Sequence, residues 1–130
     1  MTDRQGRSEL HYCALTGSSA DAAILLDAGE DPNLQDRDGF SPLHLAAQQQ
    51  NVPVAVVLLD RGASVDAVNK FGNTPLGVAV FSSQGRGEMI DLLRKAGADP
   101  RKENASGQTP VGLAHLIANY DVAQYFEDVD

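Results

Sequence analysis

Gly85, Arg86 and Gly87 are the residues of this chain that come nearest to a phosphate-binding loop. Such a loop needs a third glycine three residues after the second, and a strand before the first, so that the backbone can approach the phosphates. Ile90 occupies the position of the third glycine, and no strand-like run precedes the segment. We therefore interpret it as a flexible loop in which Arg86 could bind an acidic group on a partner.

A second candidate is the acidic turn formed by residues 36–39, which has some likeness to a calcium-binding loop. If Asp36 and Asp38 were the third and fifth ligands, Leu34 would be the first ligand and Leu45 would replace the bidentate glutamate. Neither leucine can bind calcium. We expect Asp36 to accept backbone N–H groups inside its own turn instead.

The histidines and the single cysteine also form no catalytic or metal-binding pattern. His11, His44 and His115 do not have metal-ligand spacing. Cys13 lies among small residues, which indicates a buried and inert thiol. His11 and Cys13 are two residues apart, so they would point in different directions from a helix. We predict no catalytic residue, no metal and no cofactor, and a protein that is not an enzyme.

The elements that position these residues repeat along the chain. A phrase of glycine, two residues, proline and an aliphatic residue occurs three times, and a weaker copy stands near the start; the copies begin at Gly6, Gly39, Gly72 and Gly107. The intervals between these glycines are 33, 33 and 35 residues. A fixed period of this length is typical of stacked repeats, which present one extended surface for binding other proteins.

Each repeat predicts two helices. Ser41, Thr74 and Thr109 precede a proline, and this order is typical of a helix start. The predicted first helices are Leu10 to Leu15, Leu43 to Gln49, Leu76 to Ser82 and Val111 to Ile117. The predicted second helices are Ala20 to Ala28, Pro53 to Arg61, Glu88 to Ala96 and Asp121 to about Asp128. Gly29, Gly62 and Gly97 are expected to end the second helices.

The repeats resemble ankyrin repeats. The segments 36–47 and 57–63 follow the pattern of that family closely, and the resemblance covers about residues 3–128. It implies an all-α ankyrin-repeat solenoid of four helix-turn-helix repeats with finger-like turns, whose terminal repeats act as caps. We expect one domain over residues 1–130, with repeats at about 3–35, 36–68, 69–102 and 103–130.

Some positions depart from the family's pattern. Glu9 stands where proline is usual, and Gly77 and Gly112 stand where histidine is usual. In the family's histidine position, His11 and His44 are implied to form a hydrogen bond between the start of a helix and a finger. Repeat three also has two extra residues in the stretch 82–88, between its two helices. This insertion is a second place to look for a partner contact.

The resemblance implies that a partner binds to the finger tips and to the exposed positions of the first helices, on a concave face. The predicted partner-binding residues, with Arg86 from the insertion, are Arg37, Asp38, Phe40, Gln48, Gln49, Lys70, Phe71, Asn73, Phe81, Ser82 and Arg86. The set contains three of the four phenylalanines. Either they form a shared binding patch, or each ring folds down against the adjacent finger and covers the stack.

Charge and composition narrow the choice of partner. The formal net charge is −8, which argues against nucleic-acid binding. Residues 1–68 carry a net −6, residues 69–102 a net +3 and residues 103–130 a net −5. We expect no membrane-spanning segment, no signal peptide, a cytoplasmic location in keeping with a single cysteine, and a monomer when the protein is alone.

A narrower resemblance lies in the second half of the chain. The segments 71–76, 79–81, 85–88 and 117–122 are similar to small stand-alone bacterial ankyrin proteins, many of which are taken to be toxin-immunity proteins. This resemblance implies an immunity protein that occludes the active region of a cognate toxin, and the acidic charge suits a basic toxin domain. The alternative is a regulatory adaptor that binds an endogenous enzyme or transcription factor.

Overall fold

The structure, a computed structural model, describes residues 2–117 and 120–129. Within these residues it contains seven α-helices, one 3-10 turn and no strand. The helices are α1 (Glu9–Thr16), α2 (Ser19–Asp27), α3 (Pro42–Gln48), α4 (Val52–Asp60), α5 (Pro75–Ser82), α6 (Glu88–Lys95) and α7 (Pro110–Leu116), and the 3-10 turn is Ala123–Phe126. The predicted all-α architecture is confirmed. None of these helices has the length and apolar character that crossing a bilayer requires.

Four of the residues used in the sequence analysis lie outside the described ranges. Ala118 and Asn119 belong to the segment 117–122 that carries part of the narrower resemblance. Met1 and Asp130 are the ends of the predicted domain.

The helices begin where the repeated Ser/Thr-Pro pairs predict. The hydroxyls of Ser41, Thr74 and Thr109 accept the N–H groups of His44, Gly77 and Gly112 at 3.3, 3.2 and 3.0 Å. Proline follows as the first helical residue, where its missing N–H would have no helical partner in any case. These three caps are therefore confirmed.

The second helices end where the repeated glycines predict. Gly29, Gly62 and Gly97 have φ angles of 97°, 93° and 98°, in the left-handed region that glycine adopts without strain. The chain turns there and leaves the helix.

The helices form two rows. In the inner row α1, α3, α5 and α7 each contact the next, and in the outer row α2 contacts α4 and α4 contacts α6. Leucines at one repeated position, Leu10, Leu43 and Leu76, are fully buried between the rows. Small side chains at another position, Cys13, Ala46, Ala79 and Ala114, are also buried and let the inner helices approach closely.

The turns before the inner helices form fingers that bond to one another through the backbone. The N–H groups of Arg37, Lys70 and Ala105 donate to the carbonyls of the preceding finger at 2.8 to 2.9 Å. Inside its own finger, Oδ1 of Asp36 accepts the N–H groups of Asp38 and Phe40, both at 2.9 Å. The role predicted for Asp36 is confirmed.

The predicted helix from Asp121 to about Asp128 is wrong, because only Ala123–Phe126 is helical and it is a 3-10 turn. In an α-helix the carbonyl of Tyr125 would accept the N–H of Val129. Here Arg94 donates to that carbonyl at 2.8 Å, and the N–H of Val129 bonds to the carbonyl of Phe126 instead. Phe126 is nevertheless buried and packs beside α7, so the segment still covers the end of the stack.

The insertion in repeat three forms the predicted loop between α5 and α6, and this loop is packed against the C-terminal segment. The hydroxyl of Tyr125 donates to the carbonyl of Gly85 at 3.0 Å. A Cβ atom on Gly87 would lie 2.6 Å from Cδ1 of Tyr125, and closer still to two other ring atoms. The aromatic ring therefore rests directly on the backbone of the insertion.

Candidate binding groove

An open groove of about 460 Å³ lies on the side of the stack formed by the fingers and the inner helices. We call it the aromatic groove, because Phe40, Phe71 and Phe81 all line it. Val78 and Leu113 add further apolar surface from α5 and α7. The structure thus brings together the three phenylalanines that the sequence analysis singled out.

The three rings differ in how far they are exposed. Phe81, near the end of α5, is 77% exposed, and Phe71, at a finger tip, is 51% exposed. Phe40 is partly buried against the core, and its ring meets the ring of His44 edge to face with centroids 5.7 Å apart. Phe71 and Phe81 are therefore free to contact a partner, whereas Phe40 forms a wall of the groove and supports the stack.

The polar residues of the aromatic groove are all uncharged. They are side-chain amides from the fingers and from α3, namely Gln48, Asn69, Asn73, Asn104 and Gln108. None of the residues that line the groove is charged, although 22% of the chain is. The groove therefore offers hydrogen-bond donors and acceptors without a local charge.

A second hollow, of about 310 Å³, continues past Phe81 toward the C-terminal segment. Phe81 and Leu113 border both hollows, and Leu116 and Tyr120, 64% and 45% exposed, line the second. Leu116 is not among the predicted partner-binding residues. Because Leu116 stands 35 residues after Phe81, the repeat register itself could have identified it.

Two of the predicted charged residues at the finger tips, Lys70 and Asp38, pair with each other. Nζ of Lys70 lies 2.8 Å from Oδ1 of Asp38 and 5.1 Å from the centre of the Phe71 ring. Both charged side chains are about half exposed, so the pair contributes little to stability. It does restrain Lys70 beside Phe71. Arg37 is exposed at the neighbouring finger.

The remaining predicted residues divide between the groove and its surroundings. Gln48 and Asn73 line the aromatic groove, whereas Gln49, which ends α3, and Ser82 do not. Arg86 borders a different hollow with Gln50 and Glu88. Its Nε donates to the carbonyl of Ser83 at 3.2 Å. The structure thus does not place Arg86 with the phenylalanines.

The buried histidines join consecutive repeats, as the family pattern implies. Nδ1 of His44 accepts the backbone N–H of Ser41 at 3.1 Å, so the proton is on Nε2, which donates to the carbonyl of Asn73 at 2.8 Å. His11 bonds in the same way to Ser8 and to the carbonyl of Phe40. The bond expected between helix start and finger is confirmed at both positions, and it fixes the walls of the groove.

Burial also sets the ionisation of these buried groups. It lowers the pKa of both His11 and His44, against the opposing effect of their hydrogen bonds to the two carbonyls. Burial raises the pKa of the Cys13 thiol, which favours the protonated form of the thiol. No group of three or more metal-ligating side chains occurs within residues 2–117 and 120–129.

A family model matches most of the chain. Residues 10–104 match the family model described as "Ankyrin repeats (3 copies)". This match covers more than half of the chain. No curated protein matches the chain.

Proposed function

Because this chain belongs to the ankyrin-repeat family, whose repeats are protein–protein interaction modules, we propose that its aromatic groove holds a segment of another protein. The exposure of Phe81 and Phe71 in one groove carries this proposal. Aromatic side chains that face solvent together are disfavoured unless a partner covers them, and such residues dominate the energetics of many interfaces. The partner-binding residues that we propose are therefore centred on these two rings.

Capture of the partner from the native cell with purified variants tests the proposal. Truncating a hot-spot aromatic costs about 2 kcal/mol or more, which corresponds to about 30-fold in affinity. The variant Phe71→Ala/Phe81→Ala should therefore lose the protein that the wild type captures. Ile24→Ala is the matched control, because Ile24 is 64% exposed on α2 in the outer row. Equal capture by both variants would contradict the proposal.

We further propose that the partner is a toxin and that the chain is an immunity protein of bacterial origin, acting in the cytoplasm as a monomer. The resemblance of the second half to stand-alone bacterial ankyrin proteins supports this. The net charge of −8 also supports it, since an acidic protein is steered toward a basic toxin domain. Occlusion of the toxin's active region would require no catalytic residue in this chain.

Co-expression tests the immunity role. The chain should protect cells from one cognate toxin, encoded beside it, and from no unrelated toxin. Death of cells that express both the chain and the adjacent toxin would overturn the immunity role, while the groove's role in protein binding would stand.

One observation favours the alternative, a regulatory adaptor for an endogenous enzyme or transcription factor. The aromatic groove is uncharged, so it suits an apolar segment better than the basic surface of a toxin. The neighbouring reading frame separates the two roles. A toxin-tipped secreted protein encoded there favours immunity, and a regulator or an enzyme favours the adaptor.

A further inference from the structure

One position recurs in all four fingers. Its residues are Asp3, Asp36, Asn69 and Asn104. In each, Oδ1 accepts two backbone N–H groups of its own finger at 2.9 to 3.1 Å. The other polar atom of the side chain is then available for a partner outside the turn.

Three of these four atoms have such a partner. The second oxygen of Asp3 accepts the hydroxyl of Tyr12, and that of Asp36 pairs with Nε of Arg7 at 3.3 Å. Nδ2 of Asn104 donates to Oδ1 of Asn73 at 2.8 Å. Nδ2 of Asn69 has no partner, and it is the one buried side-chain nitrogen or oxygen without a hydrogen bond in the described part of the chain.

The repeat register explains this unpaired donor. Arg7, Phe40 and Asn73 stand 33 residues apart and take the same place beside the next finger. Arg7 pairs with Asp36, and Asn73 pairs with Asn104. Phe40 has the corresponding position beside Asn69, but its side chain has no polar atom that could accept a hydrogen bond. The amide of Asn69 cannot turn over to avoid the problem, because its oxygen already accepts the N–H groups of Phe71 and Asn73.

The residue that carries this donor lines the aromatic groove, although Nδ2 itself has almost no solvent-accessible surface. Asn69 is 5% exposed and lines the groove together with Phe40 and Phe71. A buried donor without an acceptor costs about 1 to 3 kcal/mol. A ligand that displaces the side chain covering Nδ2 and brings an acceptor to it recovers that energy on binding.

The charge around the groove decides which acceptor fits. A carboxylate would be buried without a cation, since no charged side chain lines the groove and the nearby Lys70 is paired with Asp38. The net charge of −8 also disfavours an anion. A backbone carbonyl oxygen accepts the hydrogen bond without either cost.

We propose that the aromatic groove recognises an uncharged segment of a partner protein, which places an aliphatic or aromatic side chain between Phe71 and Phe81 and a backbone carbonyl oxygen on Nδ2 of Asn69. This inference rests on the proposed function and specifies the chemistry of the partner. Phe40 leaves this donor unpaired, because a residue with a hydrogen-bond acceptor at position 40 would bond to Nδ2 of Asn69 within the protein itself.

Random peptides displayed on phage and selected against the full chain test this chemistry. The selected peptides should lack Asp, Glu, Lys and Arg over a core that carries one large apolar residue. When a synthetic copy of the best peptide is added, the two Nδ2–H signals of Asn69 in a ¹⁵N spectrum should shift. Selection of charged cores, no selection at all, or no shift at Asn69 would each overturn the inference.

Matched variants make the test quantitative. Asn69→Asp keeps the oxygen that closes the finger, as Asp36 does in the preceding repeat, and removes the donor. It should weaken peptide binding about tenfold or more. Asn33→Asp makes the same change of charge at a residue that does not line the groove, and it keeps the Oδ1 that accepts the N–H of Ser64, so it should change binding less than about threefold.

Two results separate this inference from the proposed function. If charged peptides bind in the aromatic groove, the chemistry proposed for the partner is wrong and the protein-binding role stands. If uncharged peptides bind as expected but Phe71→Ala/Phe81→Ala leaves capture of the native partner intact, the proposed function fails while the recognition of the peptide remains.

Discussion

Replacing Gly87 by alanine should destabilise the C-terminal end of the stack, although alanine is normally well tolerated at such a backbone conformation. The φ of Gly87 is −106°, so the backbone itself does not require glycine. The obstacle is the ring of Tyr125, whose Cδ1 would lie 2.6 Å from the new Cβ. Because Cβ atoms essentially never come within 3.0 Å of another group, the ring or the loop has to move.

The size of the effect follows from what the ring does now. Overpacking a filled site costs about 1 to 3 kcal/mol. If the ring swings away, its hydrogen bond to the carbonyl of Gly85 is also lost, at about 1 kcal/mol. We expect Gly87→Ala to lower the free energy of unfolding by about 2 to 4 kcal/mol.

Urea unfolding followed by circular dichroism and by tyrosine fluorescence measures this loss. The chain contains three tyrosines and no tryptophan, so the emission reports on Tyr125 and its two companions. Gly77→Ala is the matched control. Its Cβ would have no neighbour closer than 3.8 Å, and alanine in a helix should stabilise by about 0.5 to 1 kcal/mol.

A double-mutant cycle gives the result that would refute this reasoning. In a Tyr125→Ala background the obstacle is gone, so Gly87→Ala should then cost close to nothing, which makes the two substitutions strongly non-additive. If Gly87→Ala destabilises equally in both backgrounds, or not at all, the ring does not rest on the insertion as described.

Three further predictions concern other parts of the stack. Because burial lowers the pKa of His44 in the folded chain, the unfolded chain binds a proton at this histidine at a higher pH than the folded chain does. The free energy of unfolding should therefore fall as the pH drops below about 6.5. Urea unfolding midpoints measured above and below that pH should show this loss of stability, and the loss should be smaller in the variant His44→Gln. Phe81→Ala should change the free energy of unfolding little, whereas Phe40→Ala should lower it by about 2 kcal/mol or more, because only Phe40 of the two is packed against the core. Calorimetry of the two variants measures this difference. Arg94→Met should lower the free energy of unfolding by breaking the paired contacts with Asp128 at 2.8 and 2.6 Å, and the loss should be smaller in high salt than in low salt; an equal loss in both would contradict that origin.

The parts of the fold that local chemistry determines could be predicted from the sequence. Each Ser/Thr-Pro pair of this chain starts a helix, so Ser41, Thr74 and Thr109 identified three inner helices. The period of 33 residues then placed Leu10, Leu43 and Leu76 in one buried row. Repetition makes each of these inferences stronger, because every copy has to satisfy the same packing.

The C-terminal segment could not be predicted, because contacts distant in sequence determine its shape. Arg94 takes the carbonyl of Tyr125, 31 residues away, and Tyr125 reaches Gly85, 40 residues away. The spacing of the apolar residues Val122, Tyr125 and Phe126 is typical of a helix, and this local pattern does not indicate either contact. A helix was expected for that reason, and a single 3-10 turn is found.

The candidate site was predicted in part. The register placed Phe71 and Phe81 on one side of the stack, where both line the groove, but the different burial of Phe40 depends on its contact with His44. Arg86 was predicted as a residue of the insertion that could bind an acidic group on a partner, and it lines a different hollow from the phenylalanines. The unpaired amide of Asn69 could have been anticipated by comparing Arg7, Phe40 and Asn73, which share one register.

Site-specific photo-crosslinking in the native cell tests the central claim most directly, namely that the aromatic groove binds another protein. A benzoyl-phenylalanine at position 81 keeps an aromatic ring in the groove, and the same residue at position 24 lies on α2, in the outer row. Irradiation should join one discrete protein to the chain from position 81 and none from position 24. No product from position 81, or the same product from both positions, would contradict the account.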